Sequence, residues 1–352
     1  MRVLITGHRG YVGAHAVDVF KEAGHHVTGV DIALYRGTEF AQGRPPDVDV
    51  TIDIFDLGRG LFNGVDAVVH LAALSNDPLG DIDPRLTRTV NTDGTRYVAD
   101  CAKRAGVGRF LLASSCSIYG AADCAAQDED APVAPITAYA LSKVEAESAL
   151  RRLASRNFAV VCLRCATAYG ESPNLRTDLV VNNLLAHATS TGEVKLLSDG
   201  LARRPLIHCR DMARSFLGFA ETASLTGFQA VNVGSNGENY RVRQVAEIVR
   251  REVPNSTITI DRGAVSDRRD YRVSFDRLGK CLPTFQCQHR VQPTVRRMHR
   301  EFRANPTFRR DFEAGRFTRL VELQRRIAER TLPEYFLGGA RDDGASGRGA
   351  SR

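Results

Sequence analysis

No stretch of the 352 residues approaches the roughly 18 consecutive apolar positions a membrane-spanning helix needs, so no membrane association is expected. A secretory leader is not recognisable either. Arg2 is the only charge before the first apolar run, and that run is needed as a strand, so a cytoplasmic protein is the expectation. Metal-ligand spacing is missing as well: of 8 cysteines only Cys162 and Cys165 stand close together, and strand positions three apart point to opposite faces. Reduced, mostly buried thiols and no metal are expected. Nor is the charge strongly one-sided, since 48 Lys plus Arg against 41 Asp plus Glu leave a formal +7, which favours anionic ligands or nucleic acid only mildly. No internal repeat is present. What remains is an ordinary globular composition, 43% hydrophobic and 25% charged, long enough for one large domain or two coupled ones.

The chain is organised around its first twenty residues. Residues 2–6 are a short apolar run rich in β-branched side chains, and helical spacing sets in through Val17 and Phe20. Between them Gly7, Gly10 and Gly13 stand three apart, with Tyr11 and Val12 inside the turn. Such a strand-to-helix turn lets backbone approach a pyrophosphate, and the helix N-terminus turns its N–H groups and dipole toward the phosphates. A second strand, 26–30, ends in Asp31 and Ile32, about 20 residues beyond the glycines, where a carboxylate meets ribose hydroxyls and repels the extra phosphate of NADP. Arg9 and Arg36 could instead greet a 2′-phosphate; NAD is the favoured cofactor. A third strand over 51–56 brings Asp53 to accept from an adenine amino group, with Ile54 near the ring. A fourth, 66–71, runs into Leu71, Ala72 and Ala73, whose small side chains let backbone approach the dinucleotide.

Further along, 84–105 has helical period and carries Asn91, and 109–114 is a fifth strand running into Ser115 and Ser117. Ligands sit at the carboxyl ends of parallel strands, which puts these hydroxyls beside the glycine turn. A helix follows from 138, with Tyr139 and Lys143 on one face, and then a sixth strand, 158–164. This alternation predicts an α/β fold, a doubly wound parallel Rossmann-type sheet over 1–170. From about 171 to 335 a smaller, mixed α/β substrate lobe is expected. It takes in helices at 177–190, 211–222 and 242–252, short runs such as 230–233, and an Arg-rich helical stretch over 290–332; the tail 338–352 should be disordered.

The chemistry follows from the hydroxyls and the lysine. A phenol titrates near 10, so Tyr139 is a useful base only if Lys143 and an oxidised nicotinamide stabilise its phenolate, which to reach pH ~7 takes roughly 4 kcal/mol. Ser115 would hold the substrate oxygen against that phenol. Arg268, Arg269 and Arg272 could supply a phosphate contact, or could be a solvated basic segment.

Gly7-x-x-Gly10-x-x-Gly13, Asp53-Ile54, Leu71-Ala-Ala73, Asn91, Ser115 before Tyr119-Gly120, and Tyr139-x-x-x-Lys143 together resemble the extended short-chain dehydrogenases/reductases, in their nucleotide-sugar epimerase/dehydratase branch. The resemblance covers roughly 1–280. It implies Ser115, Tyr139 and Lys143 as catalytic residues, Asn91 as a fourth, structural member, a bound NAD, a nucleotide-diphosphate sugar as substrate and a homodimer through helices near 85–105 and 138–155. The 4,6-dehydratases carry Asp-Glu after the catalytic hydroxyl residue; here Cys116-Ser117 stands there. The chain is closer to the UDP-galactose 4-epimerases, whose diphosphate contacts Asn183 and Arg204 match. Thr167 replaces a substrate-contacting asparagine, and 74–79 is not the usual substrate loop. The expected activity is therefore epimerisation, at C4 through a 4-keto intermediate. An NAD(P)-dependent ketoreductase or dehydrogenase that consumes its cofactor, or a dehydratase, acting on a nucleotide sugar is the alternative, and a non-enzymatic NAD-sensing or nucleic-acid-binding protein a third reading.

Overall fold

The computed structural model describes residues 1–121, 126–260 and 269–337. At its centre seven strands pair in parallel throughout: β1 (Arg2–Thr6), β2 (His26–Asp31), β3 (Val48–Thr51), β4 (Ala67–His70), β5 (Arg109–Ser115), β6 (Ala159–Cys165) and β7 (Phe228–Val233). Their order is β7-β6-β5-β4-β1-β2-β3, so the chain crosses from one side of β1 to the other between β3 and β4. The crevice at the carboxyl ends of β1 and β4 is where a doubly wound sheet takes its ligand.

Alternation along the strands sorts the two helical layers. Val3 and Ile5 share a core with Val17 and Phe20 of α1 (Tyr11–Glu22), whereas Leu4 packs with Val98 and Ala102 of α2 (Gly94–Arg104) and Ala146 and Leu150 of α3 (Ala138–Leu153). Phe216 and Phe219 of α4 (Cys209–Glu221) complete the first layer. Each such fully buried side chain contributes about 1.5–3 kcal/mol, so the two layers dominate the stability of the sheet. Cys162 and Cys165 fall in opposite layers, as their spacing requires.

A second core, built on Leu184, Leu185, Val245, Val249, Met298 and Phe302, holds the smaller lobe together. Helices Val180–Thr191, Val242–Glu252 and Val291–Ala304 surround it, with the parallel pair Glu193–Leu196 and Thr257–Ile260 alongside. A three-stranded sheet of Thr167–Tyr169, Arg203–His208 and Asn239–Arg241 lines the crevice side. The last described α-helix, α5 (Arg319–Ala328), returns to the first unit.

Two expectations are corrected and two are refined. The run 230–233 and the helix at 211–222 belong to the main sheet, as β7 and α4, not to the lobe. The alternating apolar positions Val231 and Val233 are buried beside β6 against α4, so the first unit extends past residue 170 and interleaves with the second. The third strand is Val48–Thr51; beyond it the Asp53 side chain accepts from the Phe55 backbone N–H and winds Ile54–Asp56 into a single 3₁₀ turn. The helix expected over 84–105 contains a π-turn at Thr89–Asp93. The Arg-rich stretch is three helices, Val291–Ala304, Phe308–Glu313 and α5, broken at Asn305-Pro306 and at Gly315, whose φ is +72°. Arg268 and the tail 338–352 lie outside the described residues.

Candidate active site

The glycine turn closes directly onto β4. Gly7 has φ +74°, and a Cβ there would stand 2.6 Å from the Ala72 backbone nitrogen; a Cβ on Gly13 would meet the Gly7 carbonyl at 2.0 Å. Only glycine fits at either position. Gly10 precedes α1, which has no acidic residue in its first turn, so the positive end of its dipole stays available to an anion. Backbone thus lines the floor of the crevice, the arrangement a pyrophosphate requires, and the residues present fit a dinucleotide.

Asp31 at the end of β2 is held by the Arg9 and Ala33 backbone N–H groups, at 3.1 and 2.7 Å. The Arg9 guanidinium is turned away to Asp49, donating to both carboxylate oxygens at 2.9 Å. One of the two arginines that could have greeted a 2′-phosphate is therefore committed elsewhere. Asp53 accepts from the Phe55 N–H at 3.0 Å through one oxygen and from the Tyr335 hydroxyl at 2.6 Å through the other.

A cavity of about 670 Å³ runs from Asp31, Ile32, Asp53 and Ile54 over the glycine turn and Leu71, Ala72 and Ala73 to Ser115, Ser117, Tyr139 and Lys143. Beyond them it continues to Thr167, Asn183, Arg204 and Arg269. Tyr11 and Val12 line it too, the Tyr11 hydroxyl donating to the Gly170 carbonyl at 2.6 Å. Of the residues singled out in the sequence, Asn91 lies behind the cavity and Arg272 faces solvent away from it. Arg272 is thus not a site residue, because its strand Arg272–Val273 turns Val273 inward instead.

The reacting face is set by the first turn of α3. Thr137 caps it, accepting from the Ala140 N–H at 3.1 Å while its hydroxyl donates to Asp77 at 2.6 Å. Asn91 is fully buried in the π-turn, accepts from the Leu74 N–H at 2.8 Å, and donates to the Leu74 carbonyl and the Ser142 hydroxyl, each at 3.0 Å. Ser142 in turn donates to the Tyr139 carbonyl at 2.7 Å. Asn91 therefore ties the loop after β4 to the backbone of Tyr139. Deeper in α3, Glu147 accepts from Arg164 at 2.8 Å and from Ser114 at 2.5 Å, pinning the helix to β5 and β6.

Lys143, 2% exposed, has its ammonium 5.6 Å from the centre of the Tyr139 ring. Burial pulls Lys143 from 10.5 down to about 8. Burial pushes the Tyr139 phenol above its ordinary value, the Asp77 carboxylate adds to that, and a hydrogen bond with Ser115 offsets part of it. Lys143 alone does not acidify the phenol. Desolvation is the largest cause, and positive charge that comes with a bound ligand would oppose it. Ser115 and Ser117 hydroxyls are 2.8 Å apart, and Cys116 is buried with its thiol on the Arg164 carbonyl.

At the far end Arg204 is 8% exposed, donates to the Arg203 carbonyl at 2.7 Å and to the Arg269 carbonyl, and lies over the Tyr271 ring. Arg269 pairs with Asp77. Asn183 donates to the Thr177 carbonyl at 2.8 Å. Several residues here escaped sequence reading. Arg176 is buried, bidentate to Asp178 at 3.0 and 2.8 Å, and donates to Ser75 at 2.9 Å, while Asn76, at φ 140°, donates to Asp178. The unusual loop 74–79 was the one available signal for them. Among the described residues no group of three His, Cys, Asp or Glu could hold a metal, and no helix is long and apolar enough to cross a membrane.

Residues 3–234 match the NAD dependent epimerase/dehydratase family. A UDP-glucose 4-epimerase of Corynebacterium glutamicum is 31% identical over 267 residues, 71% of this chain and 80% of the relative. A dTDP-glucose 4,6-dehydratase of Streptomyces griseus is 28% identical over 262 residues, 71% of this chain and 76% of the relative. The solved structure of MoeE5 in complex with UDP-glucose and NAD superposes with a TM-score of 0.73 at 25% identity, covering 86% of this chain and 99% of MoeE5.

Proposed function

Since the chain belongs to the NAD dependent epimerase/dehydratase family, we propose that it epimerises a nucleotide-diphosphate sugar, at C4, through a transient 4-keto sugar. The carrying observation is the choice of side chains around Tyr139. Ser115 and Ser117 offer hydroxyls, Cys116 is buried against backbone, and the facing carboxylate, Asp77, is tied to Thr137 and Arg269. The 4,6-dehydratases that the chain resembles carry an Asp-Glu pair after the catalytic hydroxyl residue, and positions 116 and 117 supply neither carboxylate.

When bound, NAD supplies the acceptor and later the donor of two electrons. Ser115 holds the sugar hydroxyl toward the phenol of residue 139. Tyr139, as phenolate, takes the hydroxyl proton during oxidation and returns it during reduction on the opposite face. Lys143 keeps that phenolate charge-balanced, and at about 8 its own pKa leaves it a cation at neutral pH. Asn91 holds the first turn of α3 in register. Arg204, Arg269 and Asn183 are assigned to the diphosphate, Thr167 to the sugar and Asp31 and Asp53 to the adenosine.

The test is incubation of the purified protein with UDP- and dTDP-hexoses, without added reductant, followed by chromatographic separation of epimers. Formation of the epimer with no net change in reduced-nicotinamide absorbance supports the proposal. Stoichiometric absorbance change identifies a dehydrogenase or ketoreductase instead, and a 4-keto-6-deoxy product identifies a dehydratase.

A further inference from the structure

The C-terminal end of the described chain crosses the mouth of the crevice at its adenosine end. Residues 319–337 lie beyond the part that matches the family, so nothing about them is inherited from that match. Leu323 of α5 is fully buried, and Phe336 is 6% exposed. They share one apolar cluster with Leu34 from the loop after β2 and with Leu74 and Val90 from beyond β4. These two loops flank the glycine turn on opposite sides, so the segment bridges both walls.

Polar contacts fix it in the same place. Arg319, 4% exposed, stacks 4.0 Å over the Tyr35 ring and donates to Thr38 at 3.1 Å and to the Asn174 carbonyl at 3.3 Å. Arg326 donates to the Arg36 carbonyl at 2.8 Å. Tyr335 donates to Asp53 across 282 positions of sequence, its ring edge-on to Phe55 at 5.9 Å. Tyr335 and Phe336 line the same cavity as Asp31, Ile32 and Ile54.

We propose that Arg319–Leu337 is part of the dinucleotide site. In this arrangement Phe336 walls the adenosine subsite, Tyr335 is a positioning residue that orients the Asp53 carboxylate, and the segment as a whole slows release of the dinucleotide. The inference rests on the NAD reading of the crevice and deepens it. A cofactor that is oxidised and reduced within one turnover need never leave, and a wall supplied by the chain itself keeps it in place. A release path at this end requires the Leu323 and Phe336 contacts to open first.

The experiment uses the full-length protein with its bound NAD and follows exchange against radiolabelled NAD by rapid filtration. Phe336→Ala is expected to speed exchange roughly tenfold, and Tyr335→Phe, which removes one oxygen and its bond to Asp53, by several-fold. Amide hydrogen exchange in peptides covering 319–337 should be slower with NAD bound than after its removal. Wild-type exchange rates in both variants, together with amide protection in 319–337 that ignores NAD, overturn the proposal. If Phe336→Ala does not fold, the Tyr335→Phe rate and the amide protection decide. Wild-type protein that binds no NAD at all refutes the cofactor reading and this wall with it. Retained NAD with unchanged exchange and unchanged amide protection refutes the wall alone.

Discussion

Replacing Lys143 by methionine should make the protein more stable and leave it unable to turn over. The ammonium is 2% exposed, and burial lowers its pKa from 10.5 to about 8. At about 1.36 kcal/mol per pKa unit, holding this charge in the folded interior at neutral pH costs about 3 kcal/mol. Methionine has nearly the same reach and no charge, so most of that cost should be recovered, about 2–3 kcal/mol after small packing losses. The pH dependence gives the effect a signature. Between about pH 8 and 10.5 the unfolded chain keeps the lysine proton and the folded protein has lost it, so wild-type stability rises with pH through that window. The advantage of the variant should shrink accordingly. Urea unfolding of dinucleotide-free protein near pH 7 and near pH 10 measures both quantities. A variant no more stable than wild type near neutrality, or a gap that stays constant with pH, would refute the reasoning. A variant that is more stable near neutrality and inactive shows that the lysine is retained for catalysis at the expense of stability, as functional-site residues commonly are.

Two further substitutions probe neighbouring parts of the account. Glu147→Ala leaves the Arg164 guanidinium buried without the carboxylate it donates to at 2.8 Å, and should cost about 3–5 kcal/mol in urea unfolding. Because the pair anchors α3, the surviving folded fraction should also lose turnover more than NAD content. Arg204→Ala should raise KM for a nucleotide-diphosphate sugar about tenfold or more, and far less for a sugar without the diphosphate. Equal effects on the two would remove Arg204 from the phosphate subsite.

The parts of the fold legible in the sequence were those written in local pattern. Residues 2–31 contain strand, glycine turn, helix and strand in unbroken order, and each side chain of β1 reports its layer. Tyr139 and Lys143, one helical turn apart, needed only the helix to be recognised. Asn91 was harder, since its partners Leu74 and Ser142 lie 17 and 51 positions away and a polar residue on a helix does not announce burial. β7 was misplaced because a short apolar run carries no mark of the sheet it joins. Its partner β6 precedes it by more than sixty residues. Asp77, Arg176 and Tyr335 were unreadable for the same reason: each gains its meaning from a partner distant in sequence, Arg269, Ser75 and Asp53 respectively. The pairing of Tyr139 with Lys143 could be read from spacing, whereas the burial that raises the phenol could not.

The central claim is that the phenol of Tyr139 removes a proton from a sugar alcohol beside bound NAD. It is tested most directly by rapid mixing of wild type and Tyr139→Phe, both loaded with NAD, with a nucleotide-diphosphate hexose while reduced-nicotinamide absorbance is followed. The account predicts a transient rise in the wild type. In the phenylalanine variant, with NAD still bound, that rise should be at least 10²–10³-fold slower. A transient of equal rate and amplitude in both proteins would contradict it.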